Sequence, residues 1–276
     1  MADIKASDVA KLRSMTNAGM MDCKKALTEA NGDLDAAVEI IRKKDANIAV
    51  KKAGREANEG VVAQHIQPGG KVGVLVEINC ETDFVAKNET FQAFCAEVAE
   101  KLAANPDEDL EEFRTLQVAK IGENIQIARS TRMEVEGGGM VAAYIHPGAK
   151  VGVLIEVGAG KEGSADSEDF KQLVRDLTLQ IAAANPAAVS REEVDPEIIE
   201  KEKAIIAEQF KDKPAQAIEK ITQGKLEKYY QTHCLLDQAF VKDGDVSIKD
   251  LLANAGKALE DGGLSVRGFV RYQVGE

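Results

Sequence analysis

The sequence predicts an α+β protein: an N-terminal bundle of three helices, a duplicated antiparallel strand–strand–helix–strand module, and a helical hairpin inserted into the second copy. Two observations carry that prediction. Gly60 to Ile78 reads GVVAQHIQPGGKVGVLVEI and Gly139 to Val157 reads GMVAAYIHPGAKVGVLIEV, with Pro68, Lys71 and Glu77 matching Pro147, Lys150 and Glu156 at one constant offset. The copies then part, converge again at Ala103-Ala104-Asn105-Pro106 and Ala183-Ala184-Asn185-Pro186, and close on matching strands, in which Ile125, Ile127, Arg132 and Val135 correspond to Leu264, Val266, Arg271 and Val274. The larger offset of those last strands places an insertion in the second copy.

Taken in order, residues 1–55 read as the bundle. Ser7 is the expected N-cap of a first helix burying Val9, Leu12 and Met15, and Thr16-Asn17-Ala18-Gly19 breaks it. A second helix from about Met21 to Asn31-Gly32 turns Cys23, Ala26 and Leu27 inward, and Asp33 caps a third carrying Leu34, Ala37, Val38 and Ile41. Met20-Met21 has two readings: filler for the bundle's own gaps, or a docking surface, for which flexible methionines are suited. Lys51, Lys52 and Arg55 read as a solvated basic linker.

Residues 56–138 form the first module. Two strands flank the Pro68-Gly69-Gly70 turn. Asn88 caps a helix whose Phe91, Phe94, Val98 and Leu102 share one face, and a polar helix over Leu110 to Ile121 leads to the closing strand. Residues 139–276 form the second module. Its insertion, about 195–230, places Ile198, Ile199, Ile205, Ile206 and Phe210 on one side of a helix. Lys213-Pro214 turns the chain, and Ile218, Ile221, Leu226 and Tyr229 line the return. A helix over Ser247 to Leu259 precedes the last strand, so the C-terminal helix and strand occupy 247–276.

Function is sought where the copies differ. The first has a loop, Cys80-Glu81-Thr82-Asp83-Phe84-Val85-Ala86-Lys87-Asn88, and the second a glycine-rich loop, Gly158 to Ser164. That loop is no phosphate cradle, since Glu162 follows Lys161 where Ser or Thr is needed. His65, His146 and His233 are scattered and lack partners at metal-ligand spacing; no cofactor is expected. A lone acid at Asp83 or Glu81 makes a thin enzyme. Phe84 fits an interface better, since buried aromatics dominate interface energies, and the neighbouring carboxylate can compete for cations or donors that a partner uses. The alternative is that Phe84 tucks under its own helix.

Composition bounds the partner. A net charge of −12 disfavours direct nucleic-acid contact, and no apolar run approaches the roughly 20 residues that cross a bilayer. Four dispersed cysteines without a C-x-x-C pair read as reduced thiols, and the N-terminus lacks the zones of a signal peptide, so a cytoplasmic protein with a protein partner is expected.

Two long motifs, Leu12 to Leu27 (LRSMTNAGMMDCKKAL) and Cys80 to Asn88 (CETDFVAKN), resemble the signatures of the bacterial elongation factor Ts family, and the resemblance runs over nearly the whole chain. Asn17 departs from the Gly usual there. The resemblance implies a ubiquitin-associated-like bundle, two core subdomains, a coiled-coil hairpin and a C-terminal module. It implies guanine-nucleotide exchange on elongation factor Tu, GDP-bound and nucleotide-free, without bond-making chemistry. Carried over, the exchange contacts fall on Thr82, Asp83, Phe84 and Val85, with Phe84 wedging near the GTPase's magnesium site; docking falls on Leu12, Arg13, Met20, Met21 and His146. The alternatives are a ubiquitin-like binding adaptor without exchange activity, an enzyme using Asp83, and, for location, an organelle form whose transit peptide was removed.

Overall fold

Three helices open the chain in the computed structural model, which describes residues 4–16 and 18–276. Helix α1 (Ala6–Thr16) starts one residue before its expected cap: Lys5 O already accepts the Asp8 and Val9 N–H groups, so Ser7 lies inside the first turn. Its inner face runs through Val9, Leu12 and the half-buried Thr16, which leaves Met15 exposed, against expectation. The turn expected at Asn17 lies outside the described residues. Helix α2 (Met20–Glu29) buries Cys23, Ala26 and Leu27. The chain reverses through Asn31 and Gly32, both in the left-handed region (φ 51° and 90°), and Asp33 caps helix α3 by accepting the Asp35 and Ala36 N–H groups.

Helix α3 (Leu34–Lys52) is longer than the sequence suggested. No Gly or Pro interrupts it before Gly54, so the expected linker is largely its last turn, where Lys51 and Lys52 suit the negative end of the helix dipole. Its second half belongs to the first module. Ala49 joins that core, Arg42 pairs with Glu112 at 3.0 Å, and Lys52 Nζ donates to Gly122 O.

The first module contains β1 (Glu59–Ile66), β2 (Val72–Cys80), α4 (Asp83–Ala86), α5 (Glu89–Ala104), α6 (Glu111–Ile121) and β3 (Ile125–Glu134). The strands form an antiparallel sheet in the order β1-β2-β3. Asn88 caps α5 as expected, and Phe91, Phe94, Val98 and Leu102 pack with Val74, Val76 and Ile78 of β2 in one core. The second module repeats this with β4 (Gly139–Ile145), β5 (Val151–Gly158), α7 (Glu168–Ala184) and, at the chain's end, α10 (Ile248–Ala258) and β8 (Ser265–Gln273), in the order β4-β5-β8. Even the register shifts correspond, at Glu77/Ile78 and Glu156/Val157.

The two sheets meet through the faces turned away from α5 and α7. Val62, Leu75, Val141 and Leu154 form a buried layer there with Tyr272. Gly73 lies against Val141 and Leu154, and its counterpart Gly152 against Val62 and Leu75; a Cβ at Gly73 would sit 2.6 Å from Val141, and one at Gly152 2.5 Å from Val62. Val62 N–H donates to Ala149 O and Val141 N–H to Gly70 O, each at 2.7 Å. The contact is therefore pseudo-twofold.

The insertion is helix α8 (Pro196–Gln209) followed by α9 (Ala215–His233). The contact stripe of α8 takes Ile206 and, half-buried, Ile199 and Phe210. Ile198 and Ile205, expected on the same side, are exposed, because each precedes a stripe residue by one position and is rotated away by about 100°. At the hairpin's base Arg191 reaches Glu227 of α9 and Asp237, each at 2.6 Å, and lies over the Tyr230 ring. A two-stranded ribbon that the sequence did not suggest, β6 (Ala239–Phe240) and β7 (Asp243–Ser247), precedes α10. No helix among the described residues is long and apolar enough to cross a membrane.

Candidate functional site

The segment that distinguishes the first module is a single helical turn, α4, rather than a loop. Thr82 sits in extended backbone at its N-cap, and its Oγ1 accepts the Val85 N–H at 3.3 Å. Four residues later Asn88 caps α5, so two caps hold one short turn between them. Ala86 is buried and Val85 half-buried against the module's core, which leaves the opposite side of the turn to Asp83, Phe84 and Lys87. Phe84 is 82% exposed and does not tuck under its own helix. The Asp83 carboxylate accepts a hydrogen bond from Lys87 Nζ at 2.7 Å, and that contact holds it below the usual carboxylate range. Among the four residues expected at this site, Asp83 and Phe84 are displayed, while Thr82 and Val85 fasten the display.

Behind the turn lies a polar knot that sequence reasoning missed. Thr82 N–H donates to Glu123 Oε2 at 3.0 Å and Thr82 Oγ1 to Glu123 Oε1 at 2.7 Å. In return Asn124 N–H donates to Glu81 Oε1 at 2.6 Å, the main cause of a Glu81 carboxyl held below its usual range. Glu81 also pairs with Arg55 at 3.3 Å, and Asn124 Nδ2 donates to Arg55 O at 2.8 Å. The available signal was Gly122-Glu123-Asn124. Gly122 ends α6 in the left-handed region (φ 83°), and two polar side chains follow just before the buried Ile125.

In the second module Gly163 stands where Phe84 stands in the first, and Ser164–Asp166 form a 3-10 turn. The Gly160 and Lys161 N–H groups donate to the Asp261 carboxylate at 3.0–3.1 Å, so these amides are spent on the fold rather than on a phosphate.

A second surface lies on the bundle. Arg13, Met20 and Met21 line a groove of about 680 Å³ between α1 and α2, together with Ile4, Val9 and Lys24. Met20 and Met21 are 60% and 64% exposed, because α2 begins at Met20 and its first turn faces outward; they do not fill the bundle's interior. Leu12 corrects one expectation: it is fully buried in the bundle core and supports the groove from beneath, without a surface to offer a partner. His146 lies exposed in the turn after β4, its Nδ1 3.1 Å from the Tyr144 hydroxyl, and does not line the groove. Among the described residues, no group of three or more His, Cys, Asp or Glu side chains could hold a metal ion.

Comparison with known proteins places the chain in a family. The family model described as Elongation factor TS matches residues 81–276. Over 99% of its length the chain is 43% identical to the Elongation factor Ts of Nitratiruptor sp., covering 93% of that protein. It is 43% identical to that of Halothermothrix orenii, again over 99% of the chain and 93% of the relative. With the Elongation factor Ts of Alkalilimnicola ehrlichii the identity is 45%, over 99% of the chain and 92% of the relative. By family match and by relatives aligned along nearly all its length, the chain belongs to the elongation factor Ts family of translation elongation factors.

Proposed function

We propose that the chain binds elongation factor Tu in its GDP-bound and nucleotide-free states and accelerates GDP release by inserting Asp83 and Phe84 near the magnesium and phosphate site of the GTPase. The posture of Phe84 carries this reading: a large aromatic side chain left 82% exposed on a turn tied down from behind. An exposed ring on a rigid mount is arranged to be buried by something else, and buried aromatic anchors supply much of the binding energy of interfaces. Phe84 acts as a wedge, and the Asp83 carboxylate, held by Lys87 in the free protein, competes for the groups that hold the ion and the phosphates.

The energetics are those of linkage. The factor favours the nucleotide-empty conformation, so GDP and factor must weaken each other's binding by the same amount. No bond is made or broken. The groove at Arg13, Met20 and Met21, and the exposed His146, supply docking affinity away from the nucleotide. Release of labelled GDP from purified elongation factor Tu, with and without the chain, tests the proposal. Acceleration at substoichiometric amounts is the expected result, and an unchanged release rate overturns it.

A further inference from the structure

Phe84 is exposed, yet its mount is not free. Every polar atom of Thr82, the residue from which the turn springs, is engaged. Its N–H and hydroxyl both donate to the Glu123 carboxylate, the hydroxyl oxygen accepts the Val85 N–H, and its carbonyl accepts the Cys80 thiol at 3.2 Å. Isolated helices of one turn do not persist in water, because nucleation fixes several residues for one hydrogen bond. The four residues of α4 therefore depend on what holds their first residue. Glu123 arrives from the turn between α6 and β3, 41 residues away in sequence, and is itself oriented by its neighbour Asn124, whose N–H is bound to Glu81. The two segments are cross-linked reciprocally, carboxylate to backbone in both directions.

We propose that Glu123 is a positioning residue for nucleotide exchange, setting the orientation of the Phe84 turn through its two hydrogen bonds to Thr82. The proposal rests on the exchange reading above. Glu123 does not touch the partner's nucleotide; it makes Phe84 arrive already ordered, so that the entropy of ordering the turn is not charged to the step that expels the nucleotide. Its loss then lowers the rate of GDP release at saturation while leaving docking affinity, set by the bundle groove, nearly unchanged.

The test compares Glu123→Ala and Glu123→Gln with the unaltered chain. Two charge-assisted hydrogen bonds are lost in Glu123→Ala, and saturated GDP release should fall about tenfold, with the half-saturating concentration of factor changed by less than about twofold. Glu123→Gln keeps the size and one acceptor and should fall between. Phe84→Ala should cost only about threefold more on top of Glu123→Ala, well short of its effect alone, since both disable one device. A second readout needs no partner. The chain contains no tryptophan, so Phe84→Trp places a single reporter on the turn. Its fluorescence anisotropy should drop when Glu123→Ala is added.

Release at the unaltered rate with a still-ordered reporter overturns the proposal, and so does a loosened reporter with unaltered release. A weakened affinity at an unchanged saturated rate overturns it as well, since that outcome makes Glu123 a docking residue. If Phe84→Ala alone leaves exchange intact, the exchange reading fails, and the anisotropy still decides whether Glu123 holds the turn. Should Glu123→Ala melt early, Glu123→Gln makes the same comparison with the fold intact.

Discussion

Replacing Phe84 by alanine separates folding from function more cleanly than any other change in this chain. In the free protein less than one-fifth of the residue is covered. Full burial makes Phe→Ala cost about 3–5 kcal/mol, so a side chain covered to that extent should cost less than about 1 kcal/mol of stability. For a chain of this size the melting temperature should fall by no more than about 4 °C. In the complex the balance reverses. An aromatic anchor buried at the centre of an interface contributes about 2 kcal/mol or more, which corresponds to roughly 30-fold in the exchange rate where the contact forms on the path to the empty state. The assay is a melting curve and a GDP-release measurement on the same preparation. A variant that melts more than about 10 °C early would mean that Phe84 belongs to its own core. Normal exchange by a folded variant would remove the wedge.

Four further outcomes follow from the same structure. Met20→Ala with Met21→Ala should raise the half-saturating concentration for elongation factor Tu about tenfold without lowering the saturated release rate, as a titration of GDP release will show. Replacing residues 198–226 by a short Gly-Ser linker should leave a single cooperative unfolding transition by circular dichroism, because α9 has no fully buried residue and the hairpin's fastening at Arg191–Asp237 is retained. The four cysteines, all buried, should resist thiol reagents at neutral pH until the chain unfolds. Burial pushes the Cys80 and Cys234 thiols up to about 11, so the stability they contribute as neutral thiols is complete below their ordinary ionisation and is lost as pH rises through that value. Alkaline denaturation monitored between neutrality and that limit checks the sign.

What could be read from the sequence was local or repeated. Asp33 and Asn88 announced their helices because a cap acts on amides two and three residues away, and the duplication fixed which strands pair. Phe84 and the methionines could be proposed as surface residues because the second copy does without the first and the bundle's periodicity leaves the others out. What stayed hidden depended on distance or on rotation. A helix of four residues is too short for a 3.6-residue period to show, so α4 read as a loop. Ile198 and Ile205 looked like core until the helix's rotation was known. Glu123 carries no mark of its role, because its partner is brought to it only by the pairing of β2 with β3. The reach of α3 into the first module was masked by its charge, since two lysines at a helix end with an arginine three residues beyond look like a tether.

The meeting of the two sheets at Gly73 and Gly152 bears on how such a molecule came to be asymmetric. Each copy offers the other the same surface and receives the same surface in return, the arrangement by which two identical chains form a closed dimer. In such a dimer every feature would appear twice, and a projecting aromatic on one half would oblige a second on the other. Fusion into one polypeptide lifts that obligation. One half keeps Phe84 while the other holds Gly163 at the matching place and accommodates a long hairpin instead. The seating of each glycine against the other copy's valine and leucine is thus the seam of a near-symmetry, and the division of labour between the halves is what joining them in one chain permits.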